Sequence, residues 1–114
     1  MILSVPELVA QAKASVNCVS AAHAFTQKNA IFIDVRESEE TASSPVKNSI
    51  AIPRGVLEMN ITKYCADVET PIYLHCASGG RATLAAEQLQ RIGYKNVKAI
   101  SGSHDEVCQA QKNQ

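Results

Sequence analysis

The stretch "YLHCASGGRATL", residues 73–84, places a cysteine where an apolar segment gives way to two glycines and an arginine. The segment before it, "PIYLHC" at 71–76, is short and nearly all apolar, which is typical of a buried strand. Residues 81–92 carry apolar side chains at the spacing of one helical face, namely Ala82, Ala85, Ala86, Leu89 and Ile92. The stretch therefore predicts a strand that turns directly into a helix, with Cys76 at the turn.

The rest of the chain continues this alternation of strand-like and helix-like segments. Four further apolar runs predict strands: "VNCVS" (16–20), "AIFIDV" (30–35), "SIAIP" (49–53) and "NVKAI" (96–100). Short strands that alternate with helices predict an α/β fold. Its central sheet would be mostly parallel and covered by helices on both faces.

The helices are predicted from their start and stop signals. Capping boxes begin at Ser4 and Ser103, and the first of these helices is expected to reach about Ser15. A helix should follow Ser20 and run to about Lys28. "GVLEMNI" (55–61) predicts one or two helical turns, and Gly93 is a natural stop for the helix over 81–92.

Composition and charge favour one globular unit. The chain has 114 residues, 46% of them apolar, and its 11 basic residues balance 11 acidic ones. A neutral chain of this kind indicates neither a nucleic-acid partner nor a membrane surface. The N-terminal segment lacks the features of a signal peptide and no apolar run approaches transmembrane length, so we expect a cytoplasmic protein.

The four cysteines are irregularly spaced, at Cys18, Cys65, Cys76 and Cys108. They form neither a Cys-x-x-Cys pair nor a Cys/His cluster at zinc-binding spacing, so no metal site is expected. Reduced thiols are favoured over a disulfide framework. Cys18, Cys65 and Cys108 are interpreted as small apolar residues, with a resolving thiol as the alternative for Cys108.

Cys76 is the residue of this chain best placed for chemistry. It lies at the carboxyl end of a predicted strand. Ligands of parallel α/β proteins gather at that end of the strands. The loop that follows it consists of Ala77, Ser78, Gly79 and Gly80, and ends at Arg81. Backbone N–H groups of such a loop, together with a helix N-terminus, attract negative charge. We therefore expect the loop to favour the nucleophilic thiolate of Cys76, with Arg81 anchoring the loop and adding positive charge.

Four parts of the chain resemble single-domain rhodaneses, a family of sulfurtransferases. They are "FIDVRE" (32–37), "IAIPRGVLE" (50–58), "HCASGGRATLAAEQLQRIGYKNV" (75–97) and "ISG" (100–102). The resemblance implies one rhodanese-like, three-layer domain over 1–114, with its core at about 16–110 and an N-terminal helix within 1–15. The chain departs from the family in "SPVKNSIAIP" (44–53), which lacks a histidine and two glycines, and in "SGSHDEVCQ" (101–109), where many members carry a tryptophan.

The resemblance also implies a reaction. Cys76 would take a sulfane sulfur from thiosulfate or a persulfide donor, become a persulfide, and pass the sulfur to cyanide, a thiol or a protein thiol. No cofactor is required by this scheme. Two other functions remain open: a non-enzymatic binding or regulatory module, and a phosphatase or arsenate reductase. Related phosphatases and reductases have five residues between cysteine and arginine, whereas this chain has four, which favours sulfur transfer.

Three polar residues are predicted to lie near the loop, as structural supports or at the entrance of the site. Asp34 and Arg36 lie at the end of the strand over 30–35, and Arg54 follows the strand over 49–53. His75 precedes the cysteine in a strand, where neighbouring side chains point to opposite faces. It is therefore interpreted as a core or interface histidine and not as a catalytic base, and His23 and His104 are expected at the surface.

Overall fold

The structure, a computed structural model, describes residues 1–114 and contains a five-stranded sheet. The strands are β1 (Asn17–Ser20), β2 (Ile31–Asp34), β3 (Ile50–Ala51), β4 (Ile72–His75) and β5 (Val97–Ser101). Their order is β1-β5-β4-β2-β3, and every pairing is parallel. The predicted parallel sheet is confirmed, and the carboxyl ends of all five strands meet at one edge.

Six helices flank the sheet. They are α1 (Val5–Ala12), α2 (Ala21–Ala24), α3 (Ser38–Ser43), α4 (Leu57–Tyr64), α5 (Gly80–Ile92) and α6 (His104–Lys112), and a 3₁₀ turn at Arg54–Val56 precedes α4. None of them has both the length and the apolar character of a bilayer-crossing segment.

The core lies on both faces of the sheet. On one face, Ile72 and Leu74 of β4 pack with side chains from α4 and α5, and both are fully buried. On the other face, Tyr73 packs with residues of α2 and α6, and its ring stacks on Phe32 at 5.4 Å. Complete burial of a residue such as Ile72 or Leu74 stabilises the fold by roughly 1.5–3 kcal/mol. This two-sided burial explains why the strand preceding Cys76 is almost entirely apolar.

The capping signals are confirmed, but two helices end earlier than predicted. The Ser4 and Ser103 hydroxyls accept the backbone N–H groups of Glu7 and Glu106, and both glutamates bond back to the cap. α1 ends at Ala12 and not near Ser15. α2 ends at Ala24 and not near Lys28, because the chain tightens there into turn-like bonds: both the backbone N–H and the hydroxyl of Thr26 donate to the His23 carbonyl.

Two further details differ from the prediction. The polar segment "SEETAS" forms α3, although none of its residues is buried and the sequence therefore shows no apolar face. Ile92 was expected on the buried face of α5, but it is 47% exposed, at the end of the helix next to Gly93. The other predicted members of that face, Ala82, Ala85, Ala86 and Leu89, are buried.

Candidate functional site

The sulfur of Cys76 lies at the turn between β4 and α5 and is held by backbone groups. Its Sγ accepts the N–H of Gly79 at 3.1 Å and the N–H of Ala82 at 3.4 Å. Cys76 itself is only 2% exposed. Since both donors belong to the first turn of α5 and its cap, the helix N-terminus points at the sulfur. Negative charge is stabilised at such a position.

A left-handed residue makes this turn possible. Gly79 caps α5 with φ +100°, a conformation that side-chain-bearing residues rarely adopt. Gly80, by contrast, is the first residue of the helix and does not have positive φ. Of the two adjacent glycines, only Gly79 is therefore required by the backbone conformation. The turn is held further by Thr83, whose hydroxyl donates to the Gly79 carbonyl at 2.7 Å.

Arg81 anchors α5 to α3. Its Nη1 and Nη2 donate to the two carboxylate oxygens of Glu40 at 2.6 and 3.0 Å. The hydrogen bond from Arg81 is the main cause that lowers the pKa of Glu40 to about 2, and the Glu37 backbone N–H adds to it. The guanidinium charge is thus already balanced by a carboxylate. The predicted roles of Arg81, as a loop anchor and as a source of positive charge at the loop, stay predictions.

Arg36 and Asp34 form a buried ion pair beneath α3. The Arg36 guanidinium binds the Asp34 carboxylate, with Nη2 at 2.7 Å from Oδ2, and also donates to the carbonyls of Glu40 and Ser44. Burial alone would raise the pKa of Asp34, but the hydrogen bonds from Arg36 and the nearby His75 outweigh it and lower that pKa. Side chains two residues apart lie on the same side of an extended chain, so the side chains of Asp34 and Arg36 can meet.

The positions of these supporting residues decide between their two predicted roles. Arg36 is 3% exposed, so it does not line an entrance; that part of the prediction is wrong, because the charge of Asp34 draws the side chain inward. Both residues hold α3 in place and form no hydrogen bond with the Cys76 loop. Arg54 pairs with Glu58 one helical turn further on, at 2.9 Å, and likewise makes no bond to the loop.

His75 lies on the other face of β4, as the alternation along the strand predicts. Its Nε2 lies 2.6 Å from the Ser49 hydroxyl, whereas its buried Nδ1 has no hydrogen-bond partner and lies 3.9 Å from an Asp34 oxygen. Burial lowers the pKa of His75 to about 4, and the opposing effect of the Asp34 charge is smaller. The imidazole is therefore neutral at pH 7, as expected of a core histidine.

The loop is also tied to α6, and its outer side faces α1. The Ala77 carbonyl accepts the backbone N–H of His104 at 2.9 Å, which joins the loop to the first residue of α6. A cleft of about 390 Å³ separates α1 from the outer side of the loop, and its lining includes Val9, Lys13, Gly79 and Gly80. Cys76 does not line this cleft. No group of three or more His, Cys, Asp or Glu side chains converges to hold a metal ion, and all four cysteines are free.

Two partners of the site were missed by the sequence analysis. Glu40 carries the ion pair with Arg81, and Ser49 carries the hydrogen bond to His75. The only sequence signal for Glu40 was an acidic residue within a polar run, and nothing in that run distinguishes it from Glu39. Ser49 lies 26 residues before its histidine partner, so no local pattern connects them.

The chain is thus a parallel α/β protein whose cysteine loop, between β4 and α5, is lined by backbone N–H groups. The rhodanese-like domain family matches residues 19–110, and the chain belongs to that family. A Schizosaccharomyces pombe protein described as a candidate mitochondrial thiosulfate sulfurtransferase is 31% identical over 67% of this chain. The chain spans 61% of the length of that relative. A tRNA uridine(34) hydroxylase from Hamiltonella defensa is also 31% identical, and the chain spans 25% of its length.

Solved structures support the same fold. A polysulfide-sulfur transferase homodimer from Wolinella succinogenes has a TM-score of 0.75 and 29% identity, with 90% of this chain and 80% of that one covered. A Rhodopseudomonas palustris protein of unknown function, described as a candidate tyrosine phosphatase, has a TM-score of 0.79 over 96% of this chain and 92% of that one. It is 23% identical, so it supports the fold alone.

Proposed function

We propose that this protein is a sulfurtransferase that carries a sulfane sulfur on Cys76. The observation that carries the proposal is the pair of backbone N–H groups, of Gly79 and Ala82, that meet at the Cys76 sulfur. A cysteine in such a position can act as an anionic nucleophile, because the donors are fixed before the reaction begins. The names of the S. pombe and W. succinogenes relatives point to the same chemistry.

In the first half-reaction, the Cys76 thiolate attacks the outer sulfur of thiosulfate or of a persulfide donor. A new S–S bond forms to Cys76, the donor's S–S bond breaks, and sulfite or a thiolate leaves with the electron pair. In the second half-reaction, cyanide or an acceptor thiolate attacks the outer sulfur of the Cys76 persulfide, and Cys76 leaves as a thiolate again. The first half-reaction begins with a thiolate at Cys76, and the second ends with one. In both, the negative charge lies at the N-terminus of α5, where the loop N–H groups stabilise it.

The other residues of the site act through the loop. Arg81, held by Glu40, fixes the first turn of α5, and therefore the position of the Ala82 N–H group. Asp34 and Arg36 hold α3, which carries Glu40. These residues are positioning residues in the proposal, and Cys76 alone undergoes bond changes.

Thiocyanate formation from thiosulfate and cyanide tests the proposal. We expect turnover by the unaltered protein and none above background for Cys76→Ser. Cys108→Ser is the matched control, because Cys108 is partly exposed on α6 and its sulfur contacts the His104 ring and no residue of the loop; its turnover should be unchanged. Equal turnover by Cys76→Ser would contradict the proposal. Hydrolysis of an aryl phosphate in place of sulfur transfer would favour the phosphatase alternative.

A further inference from the structure

The Cys76 loop carries a single charged side chain, because residues 77–80 are uncharged and Arg81 ends the loop. Glu40 binds the Arg81 guanidinium with both carboxylate oxygens, at 2.6 and 3.0 Å. The hydrogen bond to Glu40 is the main cause that raises the pKa of Arg81, and the charges of a Cys76 thiolate and of Glu37 add to it. The Arg81 charge near the sulfur is therefore opposed by two carboxylates.

The other basic side chains around the loop do not supply a free positive charge to the sulfur. The other two arginines predicted for the site are also paired with carboxylates. Lys13 lines the cleft on the outer side of the loop, which Cys76 does not line. His104 is half-buried and not a free surface residue as the sequence suggested, because its Nε2 lies 2.8 Å from the Ser44 hydroxyl. Negative charge at the sulfur is therefore stabilised by the N–H groups of the loop and by no free cation.

We propose that Glu40, by binding Arg81, makes the site select sulfane donors with at most one negative charge over dianionic thiosulfate. The inference rests on the proposed sulfurtransferase function and names its donor class. Thiosulfate carries two negative charges, so its encounter with the Cys76 thiolate brings three together. A thiosulfonate brings two together, and an uncharged persulfide brings one. Like charges repel most where no free cation offsets them, so the ion pair disfavours the dianion most.

A thiosulfonate donates sulfur by the same bond changes as thiosulfate. The Cys76 thiolate attacks its outer sulfur, an S–S bond forms to Cys76, and the donor's S–S bond breaks. A sulfinate anion leaves with the electron pair, and cyanide then removes the sulfur from Cys76 as thiocyanate. Methanethiosulfonate has a methyl group where thiosulfate has a charged oxygen, so the two donors are close in size and differ by one charge.

The test measures kcat/KM for thiocyanate formation at pH 7 with thiosulfate and with methanethiosulfonate as donors. The ratio of the two values, thiosulfate over methanethiosulfonate, cancels changes in loop position that affect both donors equally. Glu40→Gln keeps an amide oxygen that can accept a hydrogen bond from Arg81 but removes the negative charge, so it should raise the ratio about tenfold. Arg81→Gln leaves the Glu40 charge unopposed and should lower the ratio.

Glu39→Gln is the matched control, because Glu39 is exposed on α3 and makes no ion pair; its ratio should stay within about twofold of that of the unaltered protein. Added salt should raise kcat/KM for thiosulfate more in the unaltered protein than in Glu40→Gln. Circular dichroism establishes that each variant is folded. A ratio unchanged by Glu40→Gln, while both donors are turned over, would overturn this inference alone. Turnover of neither donor by the unaltered protein would contradict the proposed function as well.

Discussion

At the scale of single residues, the position of the Cys76 sulfur is set by the backbone, while the charged side chains around it are already paired. Two N–H groups meet the sulfur, and the Arg81 charge is directed at Glu40. Hydrogen bonds to a charged acceptor contribute about 1.5–3 kcal/mol each. This arrangement suits a site in which the same sulfur must be stabilised as a thiolate and again as a leaving group.

The Glu40–Arg81 pair predicts a pH-dependent contribution to stability. The pKa of Glu40 is lowered from 4.5 to about 2 in the folded protein, so the pair stabilises the fold above pH 4.5, and this contribution is lost as the pH falls toward 2. Both side chains are about one-third exposed, so solvent screening keeps the coupling free energy to about 0.2–1 kcal/mol at pH 7.

A double-mutant cycle with Glu40→Gln and Arg81→Gln measures that coupling by urea unfolding. The matched control is Glu39→Gln on the same helix, whose carboxylate is exposed and makes no ion pair. Coupling near zero at pH 7, or coupling that persists at pH 2, would show that the contact contributes nothing to stability as a charge pair.

His75 predicts a second pH dependence, in a different range. Its pKa falls from 6.5 in the unfolded chain to about 4 in the fold because the imidazole is buried. Below pH 6.5 the unfolded chain binds a proton that the folded protein excludes, so the free energy of unfolding decreases as the pH falls from 6.5 to 4. The full effect is roughly 3 kcal/mol.

His75→Gln removes the titrating group and keeps a polar atom near Ser49, so its free energy of unfolding should change less between pH 6.5 and 4 than that of the unaltered protein. His23→Gln should retain the full pH dependence. Parallel pH profiles for the unaltered protein and His75→Gln would show that burial does not control this histidine.

At the scale of elements, the turn from β4 to α5 shows how two adjacent glycines differ. Gly79 has φ +100°, so Gly79→Ala forces a side chain into the left-handed region. That costs about 1–2 kcal/mol and displaces the N–H group that binds the Cys76 sulfur. We expect lower stability and slower thiocyanate formation.

Gly80→Ala is the matched control for that substitution. A Cβ at Gly80 would lie 3.7 Å from a Val9 methyl group, an ordinary contact, and the residue is already helical. We expect it to leave the free energy of unfolding unchanged or to raise it by up to about 1 kcal/mol. If the two alanine variants behaved alike in thermal unfolding and turnover, the role assigned to the left-handed turn would be wrong.

Elements with a buried apolar pattern, or with a Ser-x-x-Glu capping box, were predictable from sequence, whereas α3 was not. β4 and α5 were found because their apolar spacing reflects what they bury. α3 buries nothing and is held by its polar contacts with Arg36 and Arg81, which come from other parts of the fold. Such an element leaves no periodic pattern in the sequence.

At the scale of the whole molecule, the parallel sheet brings the carboxyl ends of β2 and β4 to one edge. That topology places the Asp34–Arg36 pair beside the strand that leads to Cys76, and α3 beside Arg81. The position of Cys76 could be predicted, because it depends on one strand, one loop and one helix. Glu40 could not, nor could the inward orientation of Arg36, because both depend on contacts between segments that only the complete fold determines.

Intact-mass spectrometry shows directly whether Cys76 accepts a sulfur atom. The protein is incubated with thiosulfate, freed of small molecules and weighed alongside Cys76→Ala. We expect one added sulfur atom on the unaltered protein, none on Cys76→Ala, and loss of the added sulfur when cyanide is supplied. An unaltered protein that never gains sulfur, or a Cys76→Ala protein that gains it equally, would show that Cys76 is not the sulfur carrier.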